Sequence, residues 1–262
     1  MPVTMLTGVV IDINDLAADL EDAIENQGIF ASYQPQISLE SGLPVAVEVL
    51  SRWTHPALGT VSPDAFINVA EQSGSIHALG TLMLRAALDA AAHWRNGGHS
   101  TEVSVNVSPL QIVRRSFLDH LLLELSSRSL PPEAITVEIT ETRPLVGSRD
   151  VIDQLRAFRI HGIGLSLDDF GTGHASLEQL ESLPLSEVKL DGSLIRDEEA
   201  HSDVELREVM SVARERDVRV VAEGIETQAQ LERAAMLRCD RAQGYLLCRP
   251  SSRDDIDRLL QN

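Results

Sequence analysis

The chain has 262 residues, 43% of them hydrophobic, and 22 Lys+Arg stand against 40 Asp+Glu for a formal net charge of −18. That length suits one α/β barrel of ~250 residues better than two domains. The acidic balance excludes nonspecific binding to DNA, RNA or an anionic membrane, all of which need clustered positive charge, but not a small phosphate ligand reached through metal ions.

Residues 1–15 read as a short N-terminal segment, with one domain over 16–262 and a first helix over Asp15–Asn26. Strands are predicted over Ala31–Ser38 and Val45–Leu50. They flank the turn signal Glu40-Ser41-Gly42 with no room for a crossover helix, so a hairpin and one antiparallel pair are expected. Helices over Pro63–Ser73 and Ala78–Asn96 precede a strand over Glu102–Val107, and a helix over Gln111–Arg128 precedes one over Ile135–Thr140. The alternation continues with helix Arg149–His161, strand Gly164–Leu167, helix Ala175–Ser182, strand Glu187–Leu190 and helix Asp203–Arg216. Strand Arg219–Ala222, helix Gln228–Arg238, strand Arg241–Leu246 and helix Arg253–Leu260 complete it. Strands alternating with helices indicate a parallel sheet, and about eight of them in this length favour a closed (β/α)8 barrel.

The most apolar stretch, Leu79 to Ala92, is interrupted by Arg85 and Asp89 and reads as an amphipathic helix; no membrane insertion is expected. The first fifteen residues carry no Lys or Arg ahead of their apolar part, which makes a poor signal peptide. Two cysteines, Cys239 and Cys248, read as reduced thiols of a cytoplasmic protein.

Polar residues with ligand chemistry fall at the strand ends: Glu48, Asn106, Glu138, Asp168-Asp169, Lys189 with Asp191, Glu223 and Gln243, with Glu141 and Glu226 a little beyond. In a barrel the C-terminal strand ends share one face, so residues far apart in sequence converge there. Several acids meeting in one mouth repel unless protonated or bridged by cations. Carboxylate and amide oxygens suit Mg²⁺ or Mn²⁺ rather than Zn²⁺, and none of the 8 histidines has a zinc-site partner at short spacing. Adjacent aspartates can serve two ions ~4 Å apart, which steady both oxygens of an in-line displacement at phosphorus. Lys189 is the only lysine in the chain. A compact ammonium in that mouth can stabilise developing negative charge, a task a guanidinium does not fill. Blander roles exist for single members: Glu48 as a strand-edge acid, Glu141 and Glu226 as helix N-terminal acids. Asp169-Phe170-Gly171 matches the kinase metal tripeptide, but no other kinase motif accompanies it.

These residues lie in ordered blocks: Glu48-Val49-Leu50 followed by Ser51-Arg52-Trp53, Ser104-Val105-Asn106-Val107-Ser108, and Val137-Glu138-Ile139-Thr140-Glu141. Leu167 to Gly173, Val188-Lys189-Leu190-Asp191, Val221 to Thr227 and Gln243-Gly244-Tyr245-Leu246 follow. From about Leu16 to Pro250 the chain closely resembles the EAL-domain family of cyclic di-GMP phosphodiesterases, with Val49 in place of the alanine of the family motif. The resemblance implies a barrel whose first strand is antiparallel to the others. It implies Glu48, Asn106, Glu138 and Asp168 as ligands of one Mg²⁺ or Mn²⁺, with Asp169 on a second ion and Glu223 either binding that ion or acting as base. Lys189 resembles the catalytic lysine, Glu141 the glutamate that holds loop 171–176, and Glu226 and Gln243 supporting groups. Gln34, Leu50, Arg52, Asp191 and Tyr245 are the implied substrate contacts, Arg52 on a phosphate. The implied reaction opens cyclic di-GMP to linear pGpG, and a homodimer is implied. His174, Ala175, Gly192 and Leu194 depart from the residues usual there. The alternative is a catalytically silent cyclic di-GMP receptor acting through a protein partner.

Overall fold

The computed structural model describes residues 3–6, 9–140, 149–172, 177–196 and 200–261. The chain runs β1 (Val3–Leu6), β2 (Val9–Asp12), α1 (Ile13–Glu25), β3 (Ile29–Ser38), β4 (Pro44–His55), β5 (Gly59–Val61), α2 (Pro63–Ser73), α3 (Ile76–Asn96), β6 (Glu102–Asn106), α4 (Pro109–Ile112) and α5 (Arg115–Ser127). It continues through β7 (Ile135–Thr140), α6 (Arg149–Ile160), β8 (Gly164–Phe170), α7 (Leu177–Ser182), β9 (Glu187–Leu190), α8 (Gly192–Arg196) and α9 (Ala200–Glu215). β10 (Arg219–Ala222), α10 (Gln228–Leu237), β11 (Arg241–Ala242) and α11 (Arg253–Leu260) end it.

β4, β6, β7, β8, β9, β10 and β11 run parallel in that order, and β3 closes the ring by pairing antiparallel with both β4 and β11. This is the expected closed barrel with its first strand inverted. The alternation of side chains along each strand separates two interiors. Val47, Val49, Val103, Val105, Ile135, Val137, Leu165, Leu167, Val188, Leu190 and Val220 are buried on the outer face, under the helices. There α3 lies against β4 and β6, α6 against β8 and α9 against β10. Each such side chain contributes about 1.5–3 kcal/mol by leaving water. The opposite face of the same strands carries Glu48, Glu102, Ser104, Glu138, Ser166, Asp168, Glu187 and Lys189, all inside the barrel or at its ends. Lys189 on β9 touches Glu48 on β4, and Arg219 on β10 touches Glu102 on β6, contacts between non-adjacent strands that only the barrel lumen allows.

Three local features depart from the sequence reading. The helix expected over Gln111–Arg128 is two helices, because Arg114 adopts an extended backbone (φ −86°, ψ 115°) after α4. α4 itself is fixed by a capping box between Ser108 and Gln111. The last strand stops at Ala242 rather than Leu246, since Gly244 lies so close to Ile225 that a Cβ there would sit 2.2 Å from its backbone N and O. The N-terminal segment holds the antiparallel pair β1–β2, which stands apart from the barrel sheet.

Candidate active site

The C-terminal ends of the parallel strands bring the acids together as the sequence pattern predicts. The Lys189 Nζ is 1% exposed and lies 2.8 Å from Glu223 Oε1, 3.1 Å from Glu138 Oε2, 3.2 Å from Glu48 Oε2 and 3.2 Å from Asp168 Oδ1. One positive charge thus faces four carboxylates. Burial alone would push the lysine's pKa down. The four carboxylates, Asp168 and Glu138 foremost, outweigh it and hold the ammonium well above its ordinary range.

The acids divide under the same forces. Glu48 is desolvated, but the Lys189 ammonium and a hydrogen bond from Gln243 more than offset that and keep its carboxyl below the usual range. Its two oxygens accept from Asn106 Nδ2 (2.8 Å) and Gln243 Nε2 (2.7 Å). Burial, reinforced by the Glu48 charge, pushes Glu138 well above the ordinary carboxylate range, and burial does the same to Glu223. Asp169, partly desolvated and beside Asp168, is pushed up to about 6.

A β-bulge aims both members of the Asp168-Asp169 pair at this mouth. Along a regular strand consecutive side chains point to opposite faces. Between Leu167 and Phe170 the β8–β9 register shifts, and Asp169 takes a left-handed backbone (φ 57°) while its N–H donates to Asp168 Oδ1 at 3.0 Å. Aspartate tolerates that conformation better than most residues, and bulges beside functional sites commonly re-aim a side chain.

The donor set fits divalent cations. One carboxylate oxygen each of Glu48, Glu138 and Asp168 lie within 4.8 Å of one another, as do those of Asp168, Asp169 and Glu223. Asp168 belongs to both groups. The buried Glu138 Oε1 has no hydrogen-bond partner, so a strong acceptor is left for a cation. Oxygen-only ligands suit Mg²⁺ or Mn²⁺.

The remaining residues fall around this centre. Gln243 Nε2 also donates to Gln34 Oε1 (3.1 Å), and Gln34 Nε2 donates to the Cys248 carbonyl (3.1 Å). Leu50 and Arg52 follow Glu48 along β4, half-buried, and Arg52 Nη1 donates to the Ser51 carbonyl. Asp191 Oδ1 accepts from Ser193 N at 2.8 Å, at the start of α8. Tyr245 is half exposed just beyond β11. Glu226 is exposed ahead of α10, and its N–H is taken by Gln230 in the capping box of that helix. That is the helix-terminal setting its spacing also allowed. Glu141, His174 and Ala175 lie outside the described residues. At Gly192 a Cβ would lie 3.2 Å from Gly224 Cα, so the residue standing where the family often has arginine sits at a close backbone approach. One contact had no sequence signal. Glu71 on α2 accepts from Ser108 Oγ at 2.6 Å and anchors the residue two places beyond Asn106, 37 positions away in the chain.

Fold and site together define a parallel barrel with one inverted strand and an acid-lined mouth whose carboxylates could hold cations. The EAL domain model matches residues 17–250, and the chain belongs to that family. It is 35% identical over 247 residues to MucR of Pseudomonas aeruginosa, a bifunctional diguanylate cyclase/cyclic di-GMP phosphodiesterase, covering 92% of this chain and 36% of MucR. It is 32% identical over 235 residues to the cyclic di-GMP phosphodiesterase RocR of the same organism, covering 89% of this chain and 60% of RocR. The chain therefore spans between about a third and three fifths of the length of these relatives. The solved PaMucR phosphodiesterase in complex with c-di-GMP superposes with a TM-score of 0.85 at 33% identity, over 92% of this chain and 99% of that one. The EAL enzyme Bd1971 in its cAMP- and cyclic-di-GMP-bound form gives 0.88 at 28% identity, over 95% and 69%. Among the described residues no helix is long and apolar enough to cross a membrane.

Proposed function

We propose that this chain hydrolyses one phosphodiester of cyclic di-GMP to give linear pGpG, using two Mg²⁺ or Mn²⁺ ions. The observation that carries the reading is the single buried ammonium held within 3.2 Å of four carboxylates, an acid excess that calls for further positive charge. MucR, whose phosphodiesterase structure shares the fold, and RocR, 32% identical to this chain, support the choice of substrate.

Glu48, Asn106, Glu138 and Asp168 would hold one ion, and Asp168 and Asp169 the other. When bound, the ions polarise the phosphoryl oxygens and make water a better nucleophile at neutral pH. Lys189 donates to the oxygen that gathers negative charge as the phosphorus becomes five-coordinate. Glu223, the acid closest to that ammonium, accepts the proton of the attacking water. The water oxygen bonds to phosphorus as the bond from phosphorus to the ribose 3′ oxygen breaks on the opposite side, and that oxygen takes a proton from bulk water while Glu223 returns its own to solvent. Arg52 on the rim pairs with a phosphate, Asp191 with a polar group of the nucleotide, and Gln34, Leu50 and Tyr245 line the nucleotide pocket. Gln243 keeps Glu48 ionised and oriented. Glu226 supports from the rim. The same reading makes the protein a cytoplasmic homodimer, which light scattering tests.

The deciding experiment is product chromatography after incubation with cyclic di-GMP in Mg²⁺, in Mn²⁺ and in EDTA. Metal-dependent pGpG is the expected result. Intact substrate in all three would remove the hydrolase reading, and tight binding without turnover would replace it with a receptor.

A further inference from the structure

Glu71 lies in the last turn of α2, where a negative charge works against the helix dipole. Its place there calls for a reason other than the stability of its own helix. Its partner is Ser108. The Ser108 hydroxyl donates to Glu71 Oε1 at 2.6 Å, a length typical of a hydroxyl on a carboxylate, and accepts from Leu110 N at 3.2 Å. Ser108 N donates to Gln111 Oε1 at 3.2 Å. Gln111 is buried and seats against α3 at Gly80, where a Cβ would sit 1.9 Å from Gln111 Nε2. Ser108 is thus held from α2 through Glu71 and from α3 through Gln111. The helix that it caps, α4, has 4 residues and is too short to supply that hold itself. Asn106 stands two residues upstream, at the last position of β6. Past it, Val107 N donates to the Glu138 carbonyl at 2.9 Å, and the chain then leaves the sheet. Asn106 Nδ2 donates to Glu48 Oε1 at 2.8 Å. A carboxylate oxygen accepts, so the amide nitrogen faces Glu48 and Asn106 Oδ1 is the atom left for a cation.

We infer that Glu71 is a positioning residue for the metal centre: through Ser108 it fixes the end of β6, so that Asn106 keeps its nitrogen on Glu48 and offers its oxygen to an ion. The inference rests on the proposed reading of Asn106 as a metal ligand. Glu71 acts through Ser108 rather than on the ion. Mg²⁺ and Mn²⁺ hold oxygen ligands within a narrow range of distances, and groups behind a ligand carry part of the affinity by fixing its place. Slack at Ser108 passes along two residues of extended chain to Asn106, and it costs the ion more than it costs the fold.

The test is calorimetric titration of Mn²⁺ into the chelator-stripped full chain, with melting in EDTA measured on the same samples. Asn106→Ala identifies the site, as the one whose half-occupancy moves to higher Mn²⁺. Glu71→Ala should weaken that same site by about tenfold, the lower end of the range for residues behind a ligand. Glu71→Gln keeps an acceptor for the Ser108 hydroxyl and should bind like the native chain. In a Ser108→Ala background Glu71→Ala should add no further loss, because the two residues form one contact. Ser75→Ala cuts another hydroxyl–carboxylate bond at the junction of α2 and α3, the one from Ser75 Oγ to Glu21 Oε1 at 3.2 Å, and should leave Mn²⁺ affinity native. With cyclic di-GMP as substrate, excess Mn²⁺ should restore the turnover of Glu71→Ala, a rescue that a general loss of structure would not give. Native Mn²⁺ affinity in Glu71→Ala, or an equal loss in Ser75→Ala, would overturn the positioning role and leave the phosphodiesterase reading intact. Native affinity in Asn106→Ala would overturn the role together with the assignment of Asn106 as a ligand. A native chain that binds no Mn²⁺ would overturn the metal-dependent reading as well.

Discussion

At its N-terminal end the barrel pairs two arginines with two glutamates; at its C-terminal end one lysine faces four carboxylates. Arg219 meets Glu102 at 2.8 Å and Glu187 at 2.7 Å, and Arg241 meets Glu102 at 2.8 Å while also donating to Gln36 at 3.1 Å. Thr136 Oγ1 donates to Glu102 as well, and two guanidiniums balance two carboxylates there. Burial pushes the Glu102 carboxyl up, but Arg241 and Arg219 outweigh it and hold it below its ordinary range. At the mouth the balance fails, and Glu138, Glu223 and Asp169 are pushed up instead. Both ends enclose charge in the same lumen. The balanced network serves folding, and the unbalanced one crowds acids at a cost in stability, as functional sites commonly do.

The comparison breaks most sharply at Lys189. Lys189→Arg keeps the charge but replaces a compact ammonium with a bulky fork in a site that is 1% exposed. Formation of pGpG should fall by roughly 10²–10³-fold, as when a charge-stabilising donor is lost, while the circular dichroism spectrum stays native. Unchanged turnover would remove the assigned role. At the other end, Arg241→Ala leaves Glu102 and Glu187 short of a partner inside the barrel. It should destabilise by about 3–5 kcal/mol in urea unfolding, without altering Mg²⁺ affinity. A loss under ~1 kcal/mol, the range of exposed pairs, would mean that the network is solvated.

The two ends were not equally legible. The mouth could be read because each of its acids sits within or just after a strand rich in Val, Ile or Leu, as in Val137-Glu138-Ile139 or Leu167-Asp168-Asp169, and one rule of barrel topology gathers strand ends. The N-terminal network escaped notice because Glu102, Glu187, Arg219 and Arg241 each open a strand and look like solvated turn charges. Arg219 and Arg241 reach Glu102 across 117 and 139 residues, a proximity created only by closure of the barrel. The bulge at Asp168-Asp169 was equally hidden, since residue types announce the acids but not the left-handed backbone that aims them. The helix α8 spans five residues, too few for periodicity to register. The break at Arg114 depends on how α4 and α5 seat on different neighbours, which no local propensity encodes.

A milder change sharpens the comparison from the side of the mouth. Glu138→Gln removes one negative charge from the crowded group while keeping its shape. The metal-free protein should become more stable by roughly 1 kcal/mol, a size common when a functional compromise is relieved. Mg²⁺ affinity should fall by at least the roughly 10–100-fold that even an outer-shell partner carries. A variant less stable than the native chain in EDTA would show that the acid excess carries no penalty.

The smallest effect separates the two ends by the sign of their response to pH. Carboxyls raised in the folded state bind more protons there than in the unfolded chain, so stability grows as pH falls through their folded values and levels off below their unfolded ones. Asp169 at about 6, with Glu138 and Glu223 also raised, should therefore make the metal-free protein more stable at pH 6 than at pH 8. Glu102 behaves oppositely. Its carboxyl is held low, so its contribution is complete above the unfolded glutamate value of ~4.3 and is lost as pH falls through its depressed folded value. Calorimetric Tm in EDTA should rise from pH 8 toward about 5 and then drop, at roughly 2–4 °C per kcal/mol for a chain of this size. Mg²⁺ should flatten the upper limb, because it competes with protons for the same oxygens. Glu138→Gln should weaken that limb alone and Arg241→Ala the acid limb alone. A single variant that moved both would mean the two ends titrate as one network, and the division drawn between them would fail.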